Sequence, residues 1–369
     1  MPGKTKIKKT LAEIDISIDG NRDWDIQVHD ERLYRRVILR GSIGLGEAYT
    51  DGWWNCRKLD EFFYRILKAR LNVKNKAPGQ DLFHYLSNLF NKQTVKRSLE
   101  VGERHYDIGN DLYKAMLDKR MTYTCGYWDG ALTLDEAQEN KLDLICRKLN
   151  LKAGQKVLDI GCGWGSFAKF AAEKYGANVT GITISKEQVA LGKEMTKGLP
   201  VDIKFLDYRK IEGMFDHIVS IGMFEHVGHK NYRTFMEVVG RHLKDDGIFL
   251  LHTIGGNFSG VSADPWTVKY IFPNGILPDI KNIGEAIEGI FVVEDWHNFG
   301  ADYDKTLMAW HRNFEANWGQ LQNRYSERFH RMWNYFLLSC AGAFRARNSQ
   351  LWQIVLSKNG IPGGYKSIR

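Results

Sequence analysis

The sequence of 369 residues predicts an α/β fold, with a doubly wound, mostly parallel seven-stranded sheet and a small N-terminal domain. Three observations support this prediction. An apolar strand runs directly into a glycine-rich turn at VLDIGCGWG, residues 157–165, and a helical pattern follows the turn. From residue 139 to the C-terminus, strand and helix patterns alternate, as they do in doubly wound sheets. Residues 1–70 lack this alternation, which indicates a separate domain.

The N-terminal region combines short strand-like segments with one helical pattern. IQVHD and RRVILR have the character of strands, and a helix is predicted at DEFFYRILKARL. Clustered glycines occur between them in GSIGLGEAYTDGWW, and a lysine-rich stretch follows the helix. We expect a small α+β domain at 1–85, a linker at 86–100 and the larger domain at 101–369.

The larger domain contains the expected elements in order. Strands are predicted at 156–161, 178–184, 201–206, 215–222, 247–253, 291–296 and 351–358. Helices are predicted at 165–175, 186–197, 230–242, 304–325 and 327–345. Residues 255–285 form an irregular insert. A helix pair followed by a final strand predicts that the last two strands close the sheet as a hairpin.

Composition indicates a folded protein without a membrane-spanning segment. Hydrophobic residues make up 43% of the chain, which is enough to bury a full core. Acidic residues Glu13, Asp15 and Asp19 interrupt any apolar signal core near the start, and nowhere do 18 apolar residues run together. We therefore expect a cytoplasmic protein.

The cysteines argue against two kinds of stabilising site, and the net charge indicates the kind of partner. The five cysteines are an odd number without CxxC spacing, which argues against a disulfide framework and against a structural metal site. The formal net charge of +8 predicts an anionic partner, either nucleic acid or an anionic membrane surface. Charge alone does not choose between the two.

The glycine-rich turn indicates which ligand the sheet binds. Gly161, Gly163 and Gly165 follow Asp159 in a G-x-G-x-G pattern, whereas dinucleotide folds space their glycines as G-x-G-x-x-G. This pattern resembles motif I of the methyltransferases that use S-adenosylmethionine (AdoMet). A lone glycine motif is explained almost equally well by an ordinary turn, but the surrounding strands and helices favour an AdoMet site.

The next two strand ends supply further candidates for AdoMet binding. The second strand is followed by Thr183, Ser185 and Gln188, where such enzymes usually place a carboxylate for the ribose. The third strand is followed by Asp207 and Tyr208, which could contact the adenine amine and ring face. For Thr183 and Ser185, an ordinary helix N-cap is an equally good explanation.

A set of motifs in fixed order makes the resemblance more specific. The motifs are HYDIGNDLYKAMLD, MTYTCGYW, VLDIGCGWG, GITISKEQ, MFEHVGHKNY and YIFPNGILP, together with GEAYTDGWW and CAGAFRARNSQLWQ at the two ends. With these motifs the chain resembles the cyclopropane-fatty-acyl-phospholipid synthases over essentially its whole length, and its N-terminal and C-terminal segments match the longer bacterial members.

This resemblance implies methyl transfer from AdoMet to a cis double bond of a phospholipid acyl chain. One proton then leaves the new methyl group and a three-membered ring closes. An alkene is a poor nucleophile, so the site must align it with the sulfonium methyl and keep water from the carbocation. Aromatic walls serve both purposes, because ring faces are negative and exclude water.

The resemblance also implies site residues. A bicarbonate base would be held by the side chains of Cys125, Glu225, His252 and Tyr303 and the backbone of Ile254. Tyr123 and Thr124 match AdoMet contacts of the family, and Cys340 matches a cysteine proposed as a nucleophile. Methylating an alkene needs no covalent enzyme intermediate, so the Cys340 role has weak physical support. Each residue taken alone could equally be structural: Glu225 and His226 at a helix start, His252 in the core and Tyr303 in packing.

The expected partner is unsaturated phospholipid at the inner face of the membrane, with which the protein would associate peripherally. The oligomeric state is left open, and a homodimer is one alternative. YIFPNGILP could be an apolar lid or a buried loop. The helix near residue 62 sets Phe62, Phe63, Ile66 and Leu67 beside Arg65, Lys68, Arg70, Lys74 and Lys76. Such a face suits an anionic interface, although a solvated domain helix explains it as well.

Three other functions compete with this one. A lipid methyltransferase could give a methyl-branched or methylene product from the same cation. A nucleic-acid methyltransferase would explain the charge, but it would need a polar flipped-base pocket rather than an apolar lid. A lipid-binding protein without activity would not need the base residues.

Overall fold

The computed structural model describes residues 2–71, 109–259, 264–273 and 275–369. These residues form two compact units. The first unit contains the described residues within 1–90, 262–273 and 303–349, and the second contains those within 91–261, 274–302 and 350–369. The predicted linker at 86–100 lies outside the described residues. The division at 85 and 101 stays a prediction.

The second unit is built around a seven-stranded sheet with the order β5-β4-β3-β6-β7-β9-β8. Strands β3 to β7 pair in parallel, and β8 and β9 pair antiparallel. The predicted fold class is therefore confirmed. The strands are β3 (Lys156–Ile160), β4 (Asn178–Thr183), β5 (Val201–Phe205), β6 (Phe215–Ile221), β7 (Leu243–Gly256), β8 (Val292–Asn298) and β9 (Ser349–Ser357).

Helices cover the sheet and their ends follow capping rules. Thr133 caps the helix that precedes the sheet through a capping box with Glu136. Gly176, with φ 67°, ends the helix after β3 in a left-handed turn. The helices associated with this unit are α4 (Asn110–Met116), α5 (Leu134–Lys148), α6 (Ser166–Tyr175), α7 (Lys186–Met195), α8 (Tyr232–His242) and α10 (Ile280–Ile287).

The core of the second unit consists of two apolar clusters. Aromatic residues Phe224, Phe235 and Phe249 lie in one cluster, together with residues of α8 and α10. Val157, Phe167 and other residues of α5, α6 and the sheet form the second. Since the central strands contribute side chains to both clusters, their sequences read as nearly continuous apolar runs, as expected for parallel strands.

The first unit is mainly helical. A two-stranded sheet joins β1 (Ile26–Val28) and β2 (Trp54–Cys56), with partners Ile26 and Cys56 at one end. The helices are α1 (Pro2–Ala12), α2 (Arg32–Thr50), α3 (Leu59–Lys68), α9 (Pro265–Tyr270), α11 (Ala301–Leu321, which begins in the second unit) and α12 (Glu327–Arg345).

Two local predictions are wrong. RRVILR lies in helix α2 rather than in a strand, although Val37 and Ile38 favour strands by propensity. Tertiary packing overrides that propensity, because α2 buries Leu33 and Tyr34 on one side of a kink at Gly41 and residues 46–50 on the other. The predicted irregular insert at 255–285 contains two helices, α9 and α10, whose N-caps are Asp264 and Asp279.

Close helix contacts hold the first unit together. A side chain at Gly342 of α12 would collide with the Asp60 carbonyl oxygen and Phe63 of α3, and one at Gly46 of α2 would collide with buried Trp266. Phe62 and Phe63, expected at a membrane face, are buried in these contacts. The apolar side of α3 therefore serves the core, as the structural alternative predicted.

Candidate active site

A cleft of about 150 Å³ opens at the carboxyl ends of β3, β4, β5 and β6. Ligands bind at this edge in doubly wound sheets, because the strand-to-helix turns leave a crevice there. All lining residues belong to the second unit. The lining includes these predicted AdoMet residues: Tyr123, Thr124, Asp159, Gly161, Gly163, Thr183, Ser185, Gln188, Asp207 and Tyr208.

The three glycines of the turn have different tasks. All have positive φ, a conformation that L side chains rarely adopt. A Cβ at Gly161 would collide with Met223, whereas one at Gly163 would meet no atom within 4 Å. Gly165 does not line the cleft; it caps α6, and its Cβ would lie 3.3 Å from Ile203. The open space beside Gly163 is therefore the place where a ligand can approach the backbone.

Asp159 presents a buried carboxylate to the cleft. It is 1% exposed, and among the described residues its Oδ1 atom has no hydrogen-bond partner. Burial raises the pKa of Asp159 to about 7, and the positive charge of Lys141 opposes the shift. A buried acceptor without a partner costs free energy, so this atom suits a ligand that brings a donor.

Thr183, Ser185 and Gln188 form one small network at the end of β4. The Thr183 hydroxyl donates to Gln188 Oε1 at 2.7 Å, and Ser185 Oγ accepts the Gln188 backbone N–H at 3.2 Å. Ser185 is the N-cap of α7, as the structural alternative predicted. All three also line the cleft, so capping and ligand contact are compatible here.

The turn after β5 places an ion pair and an aromatic ring at the cleft. Asp207 accepts two hydrogen bonds of 2.8 Å from the Arg209 guanidinium. The Tyr208 ring packs edge-on against Phe235 at 5.2 Å. Because Arg209 occupies both carboxylate oxygens, Asp207 is held in a fixed position rather than left to solvent.

The segment before the sheet contributes one further wall. Tyr123 packs edge-on against Tyr113, with ring centroids 5.1 Å apart. Thr124 accepts a hydrogen bond of 2.9 Å from the ammonium of Lys141, which is fully buried on α5. Burial lowers the pKa of Lys141 to about 8, against the opposing effects of Asp118, Cys125 and Asp159.

A second polar group lies beside this cleft, where β6 and β7 end. Glu225 Oε1 accepts the Ile254 backbone N–H at 2.6 Å, and Glu225 is flanked in sequence by Met223 and His226, which line the cleft. His252 lies on β7 opposite Ile221, and its Nδ1 pairs with the Gln353 side chain at 3.3 Å. The structure thus joins Glu225 to Ile254, which lies two residues beyond His252 on the same strand.

Both side chains have atoms available for a small polar ligand. Among the described residues, Glu225 Oε2 and His252 Nε2 are buried and have no hydrogen-bond partner. Burial raises the pKa of Glu225 to about 7, with the Ile254 N–H opposing the shift. Burial also lowers the pKa of His252 well below its usual value, and the charges of Lys141 and Lys148 add to this effect. At neutral pH His252 is neutral, and Glu225 can carry a proton.

Three further predicted residues, Cys125, Tyr303 and Cys340, are not among those that line the cleft. Cys125 is completely buried, and its thiol donates to the Gly126 carbonyl oxygen at 3.2 Å. Tyr303 lies in the first unit, where its ring packs on Phe344 at 4.5 Å. Cys340 is also in the first unit, and burial raises its pKa to about 12, so the thiol is protonated at neutral pH.

Sequence analysis missed Lys141 and His226, which both line the cleft. Lys141 could have been found from the periodicity of α5. Its buried positions recur every three or four residues, and this stripe includes two lysines and Gln138. A lysine on a buried helix face is rare without a partner or a ligand. The buried positions on this stripe are Leu134, Gln138, Lys141, Ile145 and Lys148.

The described part of the chain contains neither a metal-binding cluster nor a membrane-spanning helix. No group of three or more His, Cys, Asp or Glu side chains there could hold a metal ion. Within the same ranges, every helix is too short or too polar to cross a membrane.

Comparisons with known proteins identify relatives of this chain. The sequence model of the family described as mycolic acid cyclopropane synthetase matches residues 93–354. The cyclopropane-fatty-acyl-phospholipid synthase of Escherichia coli strain K12 is 51% identical over 360 residues, which cover 97% of this chain and 94% of that protein. A probable fatty acid methyltransferase of Pseudomonas putida is 40% identical over 69% of this chain and 68% of its own length.

A solved structure agrees with these sequence relatives. A crystal structure of a mycolic acid cyclopropane synthase complexed with SAH and CTAB has a TM-score of 0.65 and 33% sequence identity, covering 70% of this chain and 98% of that one. A family match over more than half of the sequence and high identity over nearly all of it agree with the cleft geometry. The chain therefore belongs to the cyclopropane synthase family of AdoMet-dependent methyltransferases.

Proposed function

We propose that this protein transfers a methylene group from AdoMet to the cis double bond of unsaturated acyl chains in membrane phospholipids. The product is a cyclopropane ring, formed through a carbocation that loses one proton. The observation that carries the proposal is the buried Glu225 carboxyl next to the AdoMet cleft. One of its oxygens accepts the Ile254 N–H, and the other has no partner among the described residues and can take part in the proton transfer. The identity to the Escherichia coli enzyme supports the same substrate class.

The cleft residues bind and orient the methyl donor. Open space at Gly163 allows close approach of the methionine end, and Asp159 offers an acceptor for its ammonium group. The networks at Thr183 and Asp207 lie at the next two strand ends, where the ribose and adenine would bind. When bound, AdoMet supplies the electrophilic methyl group. Fixing it near the alkene converts a slow bimolecular encounter into an oriented reaction.

The polar group beside the cleft fits a small anion such as bicarbonate. Glu225 Oε2 can share a proton with the anion, and His252 Nε2 can donate or accept according to its tautomer. When bound, bicarbonate supplies the base that takes the proton. The chain contributes a position shielded from water, because Glu225 and His252 are both buried. Cys125 and Tyr303 stay predictions for this site, and Cys340, as a protonated thiol, is proposed to have no chemical role.

The test is incubation with AdoMet and vesicles of unsaturated phospholipid, followed by mass analysis of the acyl chains. The proposal expects a gain of one CH2 per double bond and upfield cyclopropane protons in the NMR spectrum. An unchanged acyl mass would overturn it. In a parallel incubation that supplies a hydride donor, a gain of two further hydrogens would indicate a methyl branch, and in either incubation vinylidene protons would indicate a methylene product.

The second candidate is a lipid methyltransferase that gives one of those two products. The similarity to the Pseudomonas putida protein favours it as an alternative. Ring closure and these products share the same first cation. The ring and the methylene product each form with loss of one proton, whereas a saturated methyl branch forms only when a separate reductant delivers a hydride to the cation. A buried group that accepts a proton favours the ring over the saturated methyl branch, so the Glu225 oxygen without a partner supports the first candidate against that product.

We also propose that the protein is cytoplasmic and associates peripherally with the inner face of the membrane. The net charge of +8 favours an anionic lipid surface. Arg65 of α3 does not carry this interaction, since it pairs with Glu61 and Asp15 within the first unit. Lys74 and Lys76 lie outside the described residues. Lys6, Lys8 and Lys9 of α1 are exposed and are the better candidates.

No nucleic-acid substrate is part of this proposal. The similarity to a lipid-modifying enzyme favours an anionic lipid surface as the reason for the positive net charge. The proposed cation chemistry also needs an apolar substrate pocket, whereas a flipped base needs a polar one. A homodimer stays a prediction. Light scattering of the purified protein would test it directly.

A further inference from the structure

Helix α5 buries two lysines, and only one of them faces the cleft. Lys141 and Lys148 are both 0% exposed and lie two turns apart on the same side of the helix. Lys141 lines the cleft, whereas Lys148 contacts His297 at 3.1 Å, away from it. A buried ammonium is costly unless it has partners, so the position of Lys141 calls for an anionic group.

The partners of Lys141 in the protein are incomplete. Its ammonium has three donors, and within the described ranges its one hydrogen-bond acceptor is Thr124 Oγ1. Asp159 lines the same cleft, and its buried Oδ1 has no partner there. No ion pair joins the two side chains in the described part of the chain. The cleft therefore holds a buried basic and a buried acidic side chain that are not hydrogen-bonded to each other.

We propose that Lys141 binds the α-carboxylate of the methionine end of AdoMet, while Asp159 binds the α-ammonium. This inference rests on the proposed function, and it names the residue that recognises one particular group of the cosubstrate. An α-amino acid group carries a positive and a negative charge on adjacent positions. A cleft with one buried cation and one buried anion is complementary to it in charge.

The electrostatics of the cleft agree with this assignment. Burial moves both pKa values toward the neutral forms, to about 8 for Lys141 and about 7 for Asp159. A bound amino acid group brings an opposite charge to each residue and so stabilises the ionised form of both. Lys141 then acts as a binding residue and not only as a support for the Thr124 hydroxyl.

The test compares two ligands that differ in the carboxylate alone. S-adenosylhomocysteine and its decarboxylated analogue, which keeps the amine, are titrated calorimetrically into the full-length protein without lipid. The wild type should bind the carboxylate-bearing ligand more tightly than the analogue, by a factor of about 10 or more. This factor corresponds to the loss of one charged hydrogen bond. Equal affinity of the wild type for both ligands would overturn the proposal without any variant.

Two lysine variants then separate binding from folding. Lys141→Met should lose about 10- to 100-fold in affinity for S-adenosylhomocysteine, but bind the decarboxylated analogue as well as or better than the wild type, because a repulsive charge is gone. Lys148→Met removes an equally buried lysine from the same helix and should keep the wild-type ratio of affinities. Parallel losses for both ligands in Lys141→Met would assign Lys141 a structural role and overturn the proposal.

A third variant completes the test. Asp159→Asn should weaken both ligands alike, because both retain the amine, and an unchanged affinity would refute the Asp159 half of the proposal. If the wild type binds neither ligand, the proposed function itself fails. If it binds S-adenosylhomocysteine but does not discriminate against the analogue, only the assignment of Lys141 fails.

Discussion

At the residue scale, Gly163 is the one glycine of the turn with open space beside it. Gly161 and Gly165 face protein atoms, whereas a side chain at Gly163 would extend into the open cleft. The three glycines thus share a backbone conformation but not a function. A side chain at Gly163 would therefore block a ligand without a collision inside the protein, whereas side chains at Gly161 and Gly165 would also disturb the fold.

We expect Gly163→Val to abolish detectable S-adenosylhomocysteine binding while the sheet stays folded. The branched side chain would occupy ligand space, and the positive φ adds about 1–2 kcal/mol of strain. Gly198→Val is the matched control, because Gly198 also has positive φ and open surroundings but does not line the cleft. Calorimetric titration measures binding, and thermal unfolding measures the shared strain. Equal affinities in the two variants would contradict the assignment of the glycine turn.

Glu225 offers a second prediction at this scale. Glu225→Gln should lower turnover on vesicles by about 100-fold or more, the usual contribution of a proton-transfer group, and change S-adenosylhomocysteine affinity little. The amide oxygen can still accept the Ile254 N–H, so the local fold is retained. Exposed Glu212→Gln is the control and should have wild-type turnover. A comparable loss of ligand affinity in Glu225→Gln would move Glu225 into the cosubstrate site.

At the scale of elements, one buried carboxylate joins two helices of the first unit. Glu47 of α2 accepts hydrogen bonds from Lys269 at 2.7 Å and Tyr270 at 2.8 Å, both on α9. Arg36 and Arg40 of α2 bind the same carboxylate. Burial alone would raise the pKa of Glu47, but these partners lower it to about 2. Tyr270, the first residue of YIFPNGILP, is thereby held against α2, and Ile271 beside it is buried, whereas Phe272 is half-buried.

This linkage predicts a pH-dependent stability. Because the folded-state pKa of Glu47 lies below its ordinary value of 4.5, its contribution is present above about pH 5 and is lost as the pH falls toward 2. The shift corresponds to about 3 kcal/mol at neutral pH. Glu47→Gln should lower the free energy of unfolding at pH 7 and flatten its pH dependence between 5 and 2, as measured by urea titration.

The control for Glu47 is Glu31→Gln. Glu31 pairs with Lys4, and both side chains of that pair are exposed. Such pairs contribute less than about 1 kcal/mol, so this variant should unfold like the wild type. If Glu47→Gln unfolds like Glu31→Gln at pH 7, the carboxylate does not hold α2 and α9 together.

At the scale of the whole molecule, the positive net charge predicts that the protein binds anionic membrane surfaces. Charge reversal at Lys6, Lys8 and Lys9 should weaken sedimentation with anionic vesicles, because each lysine near such a surface contributes about 1 kcal/mol. The loss should be small on neutral vesicles, and added salt should reduce wild-type binding, since attraction decays over about 8 Å at physiological ionic strength. Reversal of the exposed Lys152, Lys193 and Lys197 gives a control with the same charge change in the second unit. Unchanged sedimentation of the α1 variant at low salt would exclude α1 as the docking surface.

The organisation of the molecule also differs from the order of its sequence. Helices α11 and α12 lie between β8 and β9 along the chain, and the final strand then returns to pair with β8. Residues 303–349 nevertheless belong to the same compact unit as the N-terminal residues, and α12 packs on α2 and α3. Removal of the N-terminal residues would therefore expose the apolar face of α12 that packs on α2 and α3. The sequence alone did not show that these N-terminal helices cover it.

The sequence by itself determined the sheet, its glycine turn and the family. Apolar strand patterns and positive-φ glycines are local signals, because a strand or a tight turn restricts its own residues. Tertiary structure decided that RRVILR is helical, that Phe62 and Phe63 are core residues and that Lys141 faces the cleft. Burial, pairing and charge complementarity in these three cases depend on residues distant in sequence, which local propensity does not encode.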